Sequence, residues 1–198
     1  MAAAQDRAGE GGPLFSVKIE GAEQVKQILA GRAQRALDIR PALEVIADLL
    51  QAQTVENIRT RGGSLAERWL PLADSTVLAR KNRWGYYRRE QGTGVNSRTP
   101  LVWSGGMAKS FQKGEQHHVR TISVQSMEWG SVHPVIGFHN SRQPRKKIPF
   151  RPMLGFRDEA QKRVLTREPI DMWMGGMPVG QIRAEAFARS GLAFRRAV

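Results

Sequence analysis

Residues 41–61 read PALEVIADLLQAQTVENIRTR and predict the longest helix of the chain. Apolar residues recur there at three- and four-residue spacings, which gives one broad apolar face. Pro41 suits a first helical turn, where a backbone N–H is not needed, and Gly62-Gly63 predict the end. At about 1.5 Å per residue the helix would be about 30 Å long. The residues of this face are Leu43, Ile46, Ala47, Leu49, Leu50, Ala52 and Val55.

We predict an α+β fold in which this long central helix packs on a small antiparallel sheet, with additional short helices and terminal extensions. The 198 residues suffice for one domain with a real core. We divide the chain into a flexible leader (1–12), an α+β domain (13–168) and a C-terminal extension (169–198). No apolar run approaches the roughly 20 residues of a membrane span, and the leader lacks the apolar middle of a secretory signal.

The charge balance is strongly basic: 31 Lys and Arg oppose 18 Asp and Glu, a net charge of +13. This excess is larger than solubility requires and favours a polyanionic partner, namely nucleic acid, anionic lipid or an acidic protein. The chain has no cysteine, which removes disulfides and thiol catalysis and fits a reducing compartment. The basic clusters lie at 80–83, 88–89, 142–151 and 195–196, so we expect folding to assemble a basic face.

Two elements are predicted before the central helix. Leu14–Ile19 alternates and is rich in β-formers, so it predicts a strand. Ala22–Leu37 predicts a basic amphipathic helix with Val25, Ile28 and Leu29 facing inward. Such a helix can lie on a membrane surface, but the short apolar face favours packing on the domain.

The stretch after the central helix predicts an anchored loop. Trp69 and Leu72, on either side of Pro71, are expected to fix it in the core. Asp74 or Ser75 is then expected to cap a short helix that extends to Lys81.

Residues 83–98 predict a polar insertion in which aromatic side chains stand among arginines. Trp84, Tyr86 and Tyr87 could stack on bases or follow a phosphate backbone. The same residue types are favoured anchors of protein contacts, and no nucleic-acid-binding motif surrounds them. We therefore favour a protein contact.

Ser104 predicts the cap of a short helix on which Met107 and Phe111 share one face. The run Ser104-Gly105-Gly106 lacks the lysine and spacing of a P-loop, so we interpret it as a turn. Residues 119–124 and 132–138 then predict two strands of a hairpin joined by a turn at 127–130, with Pro134 at an edge or bulge.

The last third predicts helices. Asp158 is expected to cap a helix of roughly residues 159–166, which Pro169 breaks or restarts. Residues 173–178 (WMGGMP) predict a flexible apolar hinge whose exposed Trp and Met side chains form a partner surface. Residues 181–189 predict another short helix.

The sequence offers little that indicates catalysis. Adjacent His117 and His118 on a strand would point to opposite faces, and we expect them, with His133 and His139, to be solvent-exposed rather than metal ligands. No GxSxG, GxGxxG, HExxH or P-loop motif is present. We therefore predict a non-enzymatic protein with no catalytic residue, no metal and no cofactor.

Three ordered blocks of residues resemble the virion morphogenesis, or tail completion, proteins of tailed bacteriophages, including Mu-like phages. The resemblance covers roughly residues 41–164. The first block is Trp69, Pro71, Leu72, Ser75, Thr76, Arg80 and Lys81; the second is Pro100, Leu101, Ser104, Gly105, Met107 and Ser110; the third is Ile148, Pro149, Arg151, Pro152, Leu154 and Gly155. The chain departs from the family pattern at residues 138–141 (FHNS) and after Pro169.

The resemblance implies a structural virion protein of the head–tail neck, assembled in the host cytoplasm. It implies a ring of identical subunits, expected to be a hexamer, around the DNA channel, and a role in joining tail to head. The implied partners are the tail terminator, the head–tail connector and, through non-specific electrostatics, genomic DNA; no membrane is implied. The alternative that we keep is a free basic nucleic-acid-binding protein.

Residues are assigned to roles on this basis. Residues expected to face the DNA channel or a partner are Arg83, Arg88, Arg89, Arg142, Arg145, Lys146 and Lys147. Residues expected at subunit interfaces are Trp84, Tyr86, Tyr87, Met172, Trp173 and Met174. Residues expected to be structural are Trp69, Pro71, Leu72, Thr76, Ser104, Gly105, Met107, Arg151, Pro152, Leu154 and Gly155.

Overall fold

The structure, a computed structural model, describes residues 22–65, 68–78, 106–140 and 149–192. The predicted leader and the predicted strand Leu14–Ile19 lie outside these residues. So do the whole aromatic and basic insertion at 83–98 and most of the basic loop, residues 141–148. Within these residues the fold is α+β: helices are combined with one two-stranded antiparallel sheet, which packs on the central helix.

The predicted central helix is present as α2, Arg40–Arg59, with Pro41 in its first turn. Leu43, Ile46 and Leu49 are buried as expected, whereas Val55 is 37% exposed. Three polar residues are also buried on this helix, namely Gln53, Thr54 and Asn57. The hydrogen bonds of Gln53 and Asn57, described below, offset the cost of burying their polar side chains.

Helix α1, Ala22–Leu37, has the predicted bounds, but the prediction that its apolar side chains face inward is wrong. Val25, Ile28 and Leu29 are 55–58% exposed. The helix is held at its C-terminal end, where Arg35 donates two hydrogen bonds to the carbonyl of Met174 at 3.2 and 3.3 Å. Amphipathic spacing predicted the helix correctly, but it does not determine which neighbour covers the apolar side.

The predicted hairpin is confirmed, but its second strand begins earlier in the sequence than predicted. Strand β1 is His118–Ile122 and strand β2 is Met127–Ser131, paired antiparallel with Arg120 opposite Trp129. The turn lies at Ser123–Ser126, where Ser123 N–H donates to Ser126 O at 2.8 Å and Ser126 N–H donates to Ser123 Oγ at 3.0 Å. These serine hydrogen bonds replace the glycine turn that we predicted at 127–130.

Residues 132–138, predicted as a strand, form a turn and the start of helix α5, Ile136–Asn140. Pro134 lies in that turn, and Ile136 N–H donates to His133 O at 3.0 Å. A proline has no N–H for a strand ladder, which favours the turn over the predicted edge strand.

Short helices flank the hairpin in sequence. A 3-10 helix, Gly63–Leu65, follows α2, and residues 74–78 are helical and are named α3 here. Helix α3 starts at Asp74 itself, with Ala73 O accepting from Val77 N–H at 3.0 Å, so Asp74 belongs to the first turn rather than to the cap. Helix α4 is Gly106–Lys109, which Phe111 follows.

Asp158 caps the next helix as predicted, accepting from Gln161 N–H at 2.7 Å. Helix α6, Glu159–Lys162, continues through a π turn, Arg163–Arg167, into α7, Glu168–Met174. The helix therefore runs past the predicted end near residue 166. Pro169 has no N–H to donate within the helix. The π turn lies directly before it, where Glu168 N–H donates to the carbonyl of Arg163.

Helix α8, Val179–Ser190, packs on α2 and lengthens the predicted helix at 181–189. Residues 169–192 therefore pack into the same core as the central helix, although the sequence division placed them in an extension. The core cluster that they share consists of Val45, Leu49, Leu165, Ile182, Ala186 and Phe187.

The predicted hinge at 173–178 is a tight connection rather than a flexible one. Gly175 N–H donates to Asp171 O at 2.9 Å, and Met177 N–H donates to Met172 O at 3.1 Å. Trp173 is half-buried, and its Nε1 donates to the carbonyls of Arg35 and Asp38 at 3.2 and 3.0 Å. Trp173 therefore links α7 to the end of α1.

Candidate functional site

The predicted anchor Trp69 is buried, 6% exposed, and lies against the third sequence block. Its Nε1 donates to the carbonyl of Pro152 at 3.1 Å. The same carbonyl accepts from Asn57 Nδ2 at 2.8 Å. One carbonyl oxygen thus connects α2, the loop at Trp69 and the stretch around Pro152.

Arg151 completes this connection. It is 5% exposed, and its Nη2 donates to the carbonyl of Leu70 at 3.1 Å. We call the set Asn57, Trp69, Leu70, Arg151 and Pro152 the junction. A charged side chain so deeply buried is stable only where its N–H groups have acceptors, and the Leu70 carbonyl is one of them.

An apolar cluster underlies the junction and includes residues of all three blocks. Met107, from the second block, is 6% exposed. The cluster consists of Ile58, Trp69, Met107, Phe111, Ile136 and Met153, with Ala108, Trp129 and Leu154 packed against it. The blocks that carry the family resemblance therefore meet in one core.

The remaining motif residues are less closely involved. Leu72 is half-buried, and Pro71 and Thr76 are exposed. The carbonyl of Gly155 accepts from Gln53 Nε2 at 3.0 Å, which joins the end of the third block to α2. Ser104 and Gly105 lie outside the described residues, so their structural role stays a prediction.

Described residues that flank the second basic stretch lie next to the junction, and those that follow the first contribute to the apolar cluster. We define the first basic segment as residues 79–105 and the second as residues 141–148. Around the second, Arg151 N–H donates to His139 O at 3.0 Å and Met153 N–H donates to Asn140 Oδ1 at 2.8 Å, so its two ends are tied together. The first basic segment is flanked by α3 on one side and by α4, which supplies Met107 to the cluster, on the other.

These two segments carry most of the excess charge. They contain ten Lys and Arg residues and one acidic residue, a net of +9 out of the +13 of the whole chain. The described residues are closer to balance, with 17 basic and 13 acidic side chains. The predicted channel-facing residues Arg83, Arg88, Arg89, Arg142, Arg145, Lys146 and Lys147 all lie in the two segments and outside the described residues, as do Trp84, Tyr86 and Tyr87.

The expected exposed patch of Trp and Met side chains is not found at α7. Met172, Trp173 and Met174 are each half-buried, and the first two pack against the core cluster that α2 and α8 share. Packing within the chain accounts for the presence of these apolar side chains, so no partner is needed to explain them. The predicted subunit contact of the three residues stays a prediction.

The prediction of solvent-exposed histidines is wrong for His118, whose two ring nitrogens are inaccessible to solvent. Its ring meets Trp129 edge to face, with centroids 6.3 Å apart. Burial lowers the pKa of His118, since the charged form loses hydration. Burial also lowers the pKa of His139, and the charge of Arg151 adds to this effect.

The sequence placed His117 on a strand together with His118, but in the structure His117 lies outside β1. It has a φ of 69° immediately before β1, and its ring lies 5.4 Å from that of His133. Burial and then the neighbouring His117 lower the pKa of His133. Across the described ranges, no group of three or more His, Asp or Glu side chains is arranged to hold a metal ion.

Sequence reasoning missed an ion-pair network on the other side of α2. Asp48 accepts from Arg120 Nη1 at 2.8 Å and from Arg183 Nη2 at 2.9 Å, and Arg120 also binds the carboxylate of Glu44. The network joins β1 and α8 to the central helix. The carboxylates lie four residues apart on α2, which places them on one face, but nothing in the sequence selects their partners.

A scan against protein-family models found no match, and searches of the curated proteins and of the solved structures found no similar chain. Among the helices of the described part, none combines the length and the apolar composition needed to cross a membrane.

Proposed function

We propose that this chain is a structural protein of the head–tail neck of a tailed bacteriophage, which completes the tail and helps to join it to the head. In this proposal identical subunits form a ring around the DNA channel. One observation carries it: described residues of the three blocks that resemble the tail completion family meet in one core, at the junction and in the apolar cluster beneath it.

Electrostatics supports the DNA part of the proposal. Attraction to phosphate is independent of base sequence, which suits a channel through which a whole genome passes. The +9 charge of the two segments is attached to a core held by Arg151 and Trp69 rather than to a chain terminus. A ring would repeat this charge in every subunit and line the channel with it.

The proposal requires no substrate turnover. A neck protein acts by shape and charge, and its partners are further copies of itself, the tail terminator, the head–tail connector and DNA. The half-buried Met172, Trp173 and Met174 and the aromatic residues of the first basic segment are the proposed contacts between subunits.

Electron microscopy of purified particles with a tagged subunit tests the location. We expect density for the tag at the head–tail junction, arranged as a closed ring. A tag found elsewhere on the particle, or absent from it, would rule the proposal out.

Charge reversal tests the segments. Replacing Arg142, Arg145, Lys146 and Lys147 by Glu should reduce DNA retention in assembled particles, because phosphate attraction becomes repulsion. The matched control reverses four exposed cations that lie outside both basic segments, Arg157, Lys162, Arg163 and Arg167. Unchanged DNA retention in the segment variant would contradict the channel assignment.

The strongly basic charge alone also fits a free nucleic-acid-binding protein. Two measurements separate the alternatives. A monomer that binds DNA in a gel shift, loses binding steeply with salt and is missing from particles would favour the free protein. A ring in solution that is also incorporated into particles favours the neck protein.

A further inference from the structure

A cavity of about 610 Å³ lies at the C-terminal end of α2. Two of its lining residues, Arg61 and Arg68, are exposed arginines, and neither forms an ion pair with another described residue. The backbones of residues 61 and 68 are brought close together, because N–H of the adjacent Trp69 donates to Arg61 O at 2.8 Å. The lining residues are Glu56, Thr60, Arg61, Gly63, Ser64, Arg68 and Trp69.

Arg61 occupies a position where glycine is the usual residue. Helix α2 ends in a Schellman motif: Gly62 N–H donates to Asn57 O at 2.9 Å and Arg61 N–H donates to Ile58 O at 3.3 Å. Arg61 is the left-handed residue of this motif, with a φ of 54°. A side chain there has a steric cost that glycine avoids. The strain is observed, and it coincides with a guanidinium at the cavity wall.

The negative groups that line this cavity already have partners, and the exposed Asp74 lines only the neighbouring cavity that shares Arg61. The carbonyl of Glu56 accepts from Thr60 N–H and from Thr60 Oγ1, each at 2.8 Å. The Glu56 carboxylate is bound by Arg59 through two hydrogen bonds of 2.7 and 2.5 Å. The end of the helix and its nearest carboxylate therefore oppose an incoming anion less than their charges alone suggest.

The cavity also adjoins described residues that lead to the first basic segment. Arg61 is shared with a second cavity of about 610 Å³, whose wall includes Leu72, Val77 and Leu78. Residue 78 directly precedes that segment. Arg61 is thus close in the fold to the last described residues before that segment.

We propose that Arg61 and Arg68 together bind one phosphate of a nucleic-acid backbone at this cavity. Two guanidinium groups present paired N–H donors that match phosphate oxygens, and the contact is independent of base sequence. The inference rests on the proposed function, since it adds one fixed phosphate contact, made by two arginines, to the DNA-facing charge of the segments.

The test uses the full chain and random-sequence double-stranded DNA, with binding measured over a series of salt concentrations. The variant Arg61→Gly with Arg68→Gln should lower the slope of log affinity against log salt by about 1, and lower affinity about tenfold at moderate salt. Arg163→Gln with Arg167→Gln removes the same charge from exposed helical positions and should change the slope by less than half as much. The melting temperature of Arg61→Gly should equal or exceed that of the wild type, so unfolding would not explain weaker binding.

A second arm uses inorganic phosphate at constant ionic strength as the probe. Phosphate could raise the melting temperature of the wild type but not that of the double variant, while DNA affinity is the same in both. That result would mean a site for a free anion and would overturn the inference. Equal salt slopes in the double variant and its control would also overturn it. If the slope falls as expected but particles lack the chain at the neck, the inference stands and the proposed function fails. If the wild-type protein binds no DNA at low salt, the inference is overturned.

Discussion

The guanidinium of Arg151 and the carbonyl oxygen of Leu70 lie 3.1 Å apart and join parts of the chain separated by 81 residues. The bond fixes the stretch that precedes the first basic segment to the stretch that follows the second. The stability of this junction is therefore a condition of the proposed function.

Arg151→Met should lower the free energy of unfolding by about 1.5–3 kcal/mol, since hydrogen bonds from a buried charged group are lost and the Leu70 carbonyl loses a donor. Urea unfolding followed by tryptophan fluorescence measures the change. Arg163→Met, at an exposed position, is the control and should shift stability by less than about 0.5 kcal/mol. Equal effects of the two variants would show that Arg151 does not hold the junction.

Asn57→Ala should destabilise the fold by about 2–3 kcal/mol. Asn57 is fully buried, donates to Pro152 O and accepts from Ser64 Oγ at 2.9 Å, so the variant leaves buried polar groups without partners. Val55→Ala, on the exposed side of the same helix, gives the comparison. Differential scanning calorimetry on both variants checks the prediction, which a change at Asn57 no larger than that at Val55 would contradict.

Asp48→Asn should cost about 2–3 kcal/mol, because Arg120 is only 10% exposed and loses one of its two carboxylate partners. Glu159→Gln removes the exposed pair with Lys162 and should cost less than about 0.5 kcal/mol. Chemical denaturation measures both. Added salt should reduce the small effect at Glu159 further and change the effect at Asp48 little; the opposite pattern would argue against a partly buried network.

Stability should fall as the pH is lowered from about 6.5. The pKa values of His118, His133 and His139 are all lowered in the folded state from the 6.5 of an unfolded histidine. The unfolded chain therefore binds more protons, and stability rises with pH until the pH exceeds the unfolded pKa. Unfolding free energies measured from pH 8 down to pH 5 check this. His118→Phe should make the dependence shallower, and a steeper or unchanged dependence would show that His118 does not contribute.

Arg61→Gly should raise the free energy of unfolding by about 0.5–1 kcal/mol, since glycine reaches a φ of 54° without the clash of a Cβ but has more freedom to lose on folding. Gly62→Ala is the informative counterpart, because Gly62 has a φ of 89° and alanine would be strained there. Thermal unfolding of the two variants should give shifts of opposite sign, and shifts of the same sign would contradict this assignment of the helix end.

The amino-acid sequence by itself determined α1, α2, the capped start of α6 and most of α8, but not α5, where it predicted a strand. Periodic apolar residues defined α1 and α2, and Asp158 marked the start of α6, because side-chain spacing and capping are local effects. The burial of Trp69 was also predictable, since removing a large aromatic side chain from water is favourable.

Only the tertiary structure decided which surfaces meet. The hairpin turn at Ser123–Ser126, the exposure of Ile28 and the bond from Arg151 to Leu70 each depend on a competition among many partners. In the hairpin, serine hydrogen bonds stabilise the turn at Ser123–Ser126, whereas the sequence predicted a glycine-containing turn at 127–130. Long-range hydrogen bonds and ion pairs such as Arg120 with Asp48 leave no spacing pattern in the sequence, because their partners are brought together by packing of the whole chain.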